Sequence, residues 1–114
     1  MRKILWLSRH DPTPSQVERL GRIYGPHVLV RDPRPFDSAE EIVERMRRYG
    51  CDEIVAVAPL SVIKRLVDLG VRPLWAEMRQ VRPEEAETEV NGRHYKFVKF
   101  RRIVGIEIKF EEVE

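Results

Sequence analysis

Apolar residues fall in short runs divided by polar, proline-marked or glycine-marked connections, and the runs alternate in type. "KILWLS" (3–8) is a brief apolar run closed by polar residues, the pattern of a buried strand. Thr13-Pro14-Ser15-Gln16 follows as a helix start, with Thr13 as N-cap, Pro14 at the first helical position and Gln16 completing a capping box. Val17, Leu20, Ile23 and Tyr24 supply the helical stripe, and Gly25-Pro26 stops it. "HVLVR" (27–31) predicts a second strand and "DPRPFD" a proline-stiffened loop. Ser38 and Glu41 form a second capping box, ahead of Ile42, Val43 and Met46 and a stop at Gly50. "EIVAVA" (53–58) predicts a third strand. Pro59-Leu60-Ser61 leads into a helix carrying Val62, Ile63, Leu66, Val67 and Leu69, with Ser61 as its cap and Gly70 as its stop. "RPLWAEM" (72–78) predicts a fourth strand.

This alternation predicts βαβ units, a parallel sheet and right-handed crossovers. The fold class expected is α/β, a Rossmann-like three-layer domain spanning 1–114, with 1–80 as the βαβ core. Residues 81–114 change character. Asn91-Gly92 is the strongest short hairpin signal. Val104, Ile106, Ile108 and Phe110 alternate with Gly105, Glu107 and Lys109, the period of a half-buried strand. Two or three antiparallel strands are therefore expected to close the chain, extending the sheet edge or building a dimer surface.

In an open parallel sheet, ligands bind beyond the carboxyl ends of the strands, where the crossover direction reverses. Three connections should converge there: Ser8-Arg9-His10-Asp11, Pro59-Leu60-Ser61 and Arg79-Gln80. Helix starts at Thr13 and Ser61 add free backbone N–H groups, and Arg9 and Arg79 add charge, so an anionic ligand is favoured. A nucleotide or oligonucleotide phosphate fits. No glycine-rich loop supports a P-loop or a dinucleotide fingerprint.

Each candidate has a plainer reading beside the functional one. His10 is a proton donor or acceptor, or an exposed loop histidine bonded to Asp11 or to a cap. Arg9 holds a phosphate or makes a surface ion pair. Ser8 positions a hydroxyl or ends a strand. Thr13 and Gln16 are explained mainly by capping. Arg31, Asp32 and Arg34 read as a surface network, and His27 and His94 as structural or solvent-facing. "KFVKFRR" (96–102) interleaves aromatics with basic residues, either as a nucleic-acid surface or as an edge strand with Tyr95, Phe97 and Phe100 turned inward. No metal or cofactor is expected, because the three histidines are scattered and neither HxxxH nor CxxC spacing occurs. Ser8, His10 and Asp11 lack a nucleophile elbow, which disfavours acyl transfer.

Composition narrows the classes further. The net charge of +2 argues against a strong nonspecific DNA binder, although sixteen of the 21 basic residues are Arg, suited to bidentate phosphate contact. One Asn, two Gln and eight Pro among 35% charged residues fit a thermophile. Cys51 is alone and has no internal disulfide partner. No apolar run nears the ~20 residues of a membrane span, and the opening run is too short for a signal peptide, so a cytoplasmic location is expected.

The opening "ILWLSRHDPTPSQVERL" resembles the start of the small CRISPR-associated ring nucleases, compact relatives of CARF domains, through Ser8-Arg9-His10 and Thr13-Pro14-Ser15-Gln16. "EIVAVAPLSVIKRLVDLG" is similar in form to their second ligand-facing loop. The resemblance implies a homodimer that binds a cyclic oligoadenylate across its two-fold axis and cuts it without metal. A ribose 2′-hydroxyl would attack its adjacent phosphate. Arg9 would stabilise the phosphorane, His10 would assist proton transfer, and Ser8 would orient the phosphate with the helix start at Ser61. Asp11, Thr13, Gln16, Pro59, Leu60 and Arg79 would complete the ligand site. The open alternatives are a noncatalytic nucleotide sensor and an interaction or nucleic-acid-binding protein using the C-terminal hairpin.

Overall fold

The computed structural model describes residues 1–113. Strand β1 (Arg2–Leu7) lies inside a six-stranded mixed sheet with β2 (His27–Arg31), β3 (Glu53–Ala56), β4 (Leu74–Gln80), β5 (Thr88–Val90) and β6 (Arg93–Arg102). The order is β2-β1-β3-β4-β6-β5. The first four strands are parallel, and β6 returns antiparallel to β4 with β5 on its outer edge. The expected α/β class, parallel core and antiparallel addition are all present, and the sheet curls toward a half-barrel.

Period-two geometry sends alternate side chains of β1 to opposite faces. Leu5 and Leu7 pack with Ile42 of helix α2 (Ala39–Tyr49) and with Ile63 and Leu66 of α3 (Leu60–Asp68). Ile4 and Trp6 pack on the other face with Leu20 of α1 (Pro14–Tyr24), Val55 and Leu74. Four consecutive residues, Ile4 to Leu7, are thus buried, which explains an apolar run without polar alternation.

Local chemistry sets the helix ends. Thr13 Oγ1 accepts the Gln16 N–H while Gln16 Oε1 accepts the Thr13 N–H, a reciprocal capping box. Ser38 Oγ accepts the Glu41 N–H at α2, but the Glu41 carboxylate reaches one residue further, to the Asp37 N–H. The expectation of a Ser61 cap is corrected. Pro59 occupies the N-cap of α3 in an extended conformation and Ser61 lies inside the first turn, with no side-chain cap bond.

Asn91 (φ 52°) and Gly92 (φ 77°) form the β5–β6 turn, both left-handed as a primed hairpin turn requires. A bulge shifts the β4–β6 register between Glu77 and Met78 and leaves Val98 unpaired. Phe97 and Phe100 are three residues apart and would face opposite ways on a regular strand. The extra residue returns both to the α1 face, with ring centroids 4.8 Å apart.

The strand expected over Val104–Phe110 does not form. Residues 103–113 have no regular secondary structure. β5 pairs with β6 only over Arg93–Tyr95, so one side of β6 stays open beyond Tyr95, but the chain after Arg102 does not turn back along it.

Asp32, expected on a surface network, is buried. It accepts bonds from Arg34 Nε (2.9 Å), Arg34 Nη2 (2.6 Å) and the Tyr49 hydroxyl (3.1 Å). The Arg34 bonds hold its carboxyl well below the usual carboxylate range. Buried Arg45 donates to the Arg34 and Pro35 carbonyls and to Glu41. Because the folded pKa of Asp32 is depressed, its stabilisation is present above the unfolded value near 4 and is lost as pH falls below it. Asp32→Asn should cost about 3 kcal/mol, since it removes the carboxylate that holds Arg34 and Tyr49 and that stands 3.8 Å from the buried Arg45 guanidinium. Urea unfolding at pH 7 and pH 3 checks this, with the gap between wild type and variant shrinking at pH 3.

Candidate functional site

The strand order reverses between β1 and β3, and the loop after β1 emerges at that point, at the carboxyl ends of the parallel strands. This loop, residues 8–13, is held from below. The Trp6 indole N–H donates to the His10 carbonyl (2.8 Å), and the His10 N–H donates to Ser8 Oγ (3.2 Å). Asp11 does not bond His10; it pairs with Arg31 of β2 at 2.6 Å. The His10 ring makes no hydrogen bond and Arg9 makes no ion pair among the described residues, so both exposed side chains are free to meet a ligand.

The loop is a wall between two cavities. The first, about 290 Å³, lies on the α1 face. Trp6, Val55, Val57, Ala76, Met78, Val90 and Tyr95 make it apolar, and Ser8, His10, Asp11, Thr13, Gln16 and Thr88 supply its polar groups. The second, about 410 Å³, lies on the α2 side, between Ser8-Arg9-His10, Asp32-Pro33-Arg34-Pro35-Phe36 and Pro59. Ser8, His10 and Val57 belong to both.

The structure therefore places Ser8 and His10 on both cavities, Asp11, Thr13 and Gln16 on the first, and Arg9 and Pro59 on the second. It does not bring in the other three. Leu60 and Ser61 are exposed and line neither cavity. Arg79 pairs in register with Lys96 on β6, and strand alternation turns it to the face opposite Met78, away from the first cavity. Thr13 and Gln16 are nearly buried, and the cap occupies their polar atoms; Gln16 Nε2 also reaches Met78 Sδ at 3.6 Å. They shape the cavity floor rather than present free donors.

Several lining residues carried no sequence signal. Ala76, Met78, Thr88, Val90 and Tyr95 join the first cavity only because the β5–β6 hairpin folds back beside α1. Arg34 reaches the second cavity because Asp32 and Arg45 fix the proline-rich loop. Period-two spacing along β4 and β6 would have grouped Ala76 with Met78, but not with Ser8.

Other groups have structural roles. His27 Nδ1 bonds the Gly25 carbonyl at 2.9 Å. Burial pushes the Cys51 thiol up, which disfavours the thiolate a nucleophile needs. On "KFVKFRR", Phe97 and Phe100 turn inward while Arg101 pairs with Glu77 (3.0 Å) and Lys99 stands opposite the same carboxylate, so the basic run is partly neutralised. No His/Cys/Asp/Glu cluster fit for a metal occurs among the described residues. No helix among them is long and apolar enough to cross a membrane.

Glu87 fastens the hairpin over the first cavity. Its carboxylate accepts from the Ser15 hydroxyl on α1 and from the Phe97 N–H (3.2 Å). Glu87→Ala should cost about 1 kcal/mol of local opening energy and raise amide exchange at residues 88–90 roughly fivefold. Hydrogen-exchange mass spectrometry tests it, with exchange in β1 and β3 as the unaffected control. No family model, curated protein or solved structure matches this chain.

Proposed function

We propose that the chain binds a nucleotide whose base enters the apolar cavity and whose phosphate sits at Ser8-Arg9-His10, on a Rossmann-like frame. In its sharpest form the ligand is a cyclic oligoadenylate and the protein cuts it, with two copies of the site facing one symmetric ring. The observation that carries this reading is the position of the Ser8–His10 loop, between a 290 Å³ apolar cavity and a second cavity that holds two arginines. An aromatic base gains from leaving water beside Trp6, Tyr95 and Met78. A phosphate gains from Arg9, which has no carboxylate partner among the described residues. Arg34 contributes less charge there, since Asp32 already holds it.

The chemistry needs no group beyond the ring and these side chains. A ribose 2′-oxygen forms a bond to the adjacent phosphorus, and the bond from phosphorus to the 5′-oxygen breaks. The proton of the 2′-hydroxyl leaves, and the departing 5′-oxygen takes one up. His10 assists one of these transfers, Arg9 stabilises the charge gained by the phosphoryl oxygens, and Ser8 keeps the phosphate in line. The products are linear and end in 2′,3′-cyclic phosphate.

The test is incubation with cyclic tetra-adenylate and, separately, cyclic hexa-adenylate in EDTA at elevated temperature, with chromatographic separation of the products. Cleavage is expected for the wild type. His10→Ala should lower the rate at least a hundredfold with binding retained, and Arg9→Ala should weaken binding roughly tenfold. Full activity in His10→Ala would remove that residue from the mechanism. Tight binding without turnover would make the protein a sensor, and absence of binding to either ring would end the cyclic oligoadenylate reading.

A further inference from the structure

The segment after β6 is the part of the molecule whose sequence pattern and structure disagree most. Val104, Ile106, Ile108 and Phe110 keep strict strand alternation. Only Ile103 and Ile106 rest against the core beside α2 and α3. Val104 (63% exposed), Ile108 (62%) and Phe110 (92%) stand in solvent. Past the Ile103 N–H bond to the Pro73 carbonyl (2.9 Å), residues 104–113 make no hydrogen bond or ion pair among the described residues. The radius of gyration, 15.5 Å, exceeds the about 13 Å of a compact chain of this length, as a projecting segment requires. A strand-patterned segment with unpaired backbone groups is a template for another strand.

We propose that this segment pairs antiparallel with the same segment of a second copy, about a two-fold axis through Ile108. Self-complementarity points to a second copy. With Ile108 opposite its own counterpart, Glu107 of each copy faces Lys109 of the other, giving two opposite-charge pairs by one symmetry operation. The same register sets Ile106 against Phe110 twice. Ile106, Ile108 and Phe110 then form one continuous apolar face, and Ile106 already rests on its own domain. Gly105 falls opposite Glu111, so neither glutamate at 107 nor 111 meets a like charge. Displacing the register by two residues sets Glu107 against its own counterpart or Lys109 against its own.

The segment leaves β6 at Arg102, which pairs with Leu74 at the start of β4, the end of the sheet opposite the Ser8–His10 loop. Tail pairing does not bring two Ser8–His10 loops onto one ring, which takes a separate contact, and it is measured with no nucleotide present.

Sedimentation of the full chain over a range of concentrations, with circular dichroism and thermal melting as folding controls, tests the proposal. The wild type is expected to dimerise. Glu107→Lys alone or Lys109→Glu alone replaces both attractive pairs by like-charge pairs and should weaken dimerisation at least tenfold with an unchanged melt. The double variant Glu107→Lys/Lys109→Glu restores the pairs and should recover dimerisation. In a Cys51→Ser background, Ile108→Cys should oxidise to a covalent dimer faster than Lys109→Cys does. A monomeric wild type, indifference to the single charge changes, or a double variant no better than the singles would each overturn the pairing.

Discussion

The molecule depends on burying β1 on both of its faces. Ile4, Leu5, Trp6 and Leu7 meet α1 on one side and α2 with α3 on the other, and both strand edges are bonded, to β2 and β3. A strand enclosed in this way has no freedom to slip, because a one-residue shift would exchange its two packed faces. Its carboxyl end is therefore a fixed point, and the polar loop that follows inherits its position. The Trp6 bond to the His10 carbonyl extends that fixity three residues beyond the strand, so an exposed loop has a buried anchor.

Two further devices turn the fixed loop into a walled site. On the α2 side, Asp32 and Arg45 are both nearly enclosed, and their bonds draw the Arg34-Pro35 backbone against the core. Two buried charges are tolerated because their polar atoms are partnered: among the described residues no buried side-chain nitrogen or oxygen lacks a hydrogen-bond partner. On the α1 side, Glu87 joins the hairpin to the first turn of α1. One wall is thus built by buried ionic packing and the other by an edge hairpin held through exposed groups. The second is the wall that can open at lower cost.

The antiparallel hairpin also changes the sheet. The bulge at Val98 places Tyr95, Phe97 and Phe100 on the α1 face and leaves Lys96, Lys99 and Arg101 on the other. That sorting gives the hairpin an apolar side to lay over the first cavity. It also keeps charge along the uncovered face, where unsatisfied apolar surface would invite association. The segment beyond Arg102 lacks such protection: its apolar alternation continues after the chain has left the sheet.

Apolar patterning carried the four parallel strands and the three helices, and local signatures carried the Thr13 cap and the Asn91-Gly92 turn, because each of these signals lies within a few residues of chain. Ser8, Arg9 and His10 likewise lie at a ligand-sized opening, where the strand order makes the loop after β1 emerge. What lay beyond reach depended on register and on distant partners. Arg79 faces away through the parity of β4, Asp32 is buried because Tyr49 and Arg45 arrive from α2, and Met78 with Tyr95 lines a cavity only after the hairpin folds back. The alternation at 104–110 encodes a strand, yet a strand forms only against a partner, and whether the chain turns back onto an edge is decided by the tertiary fold.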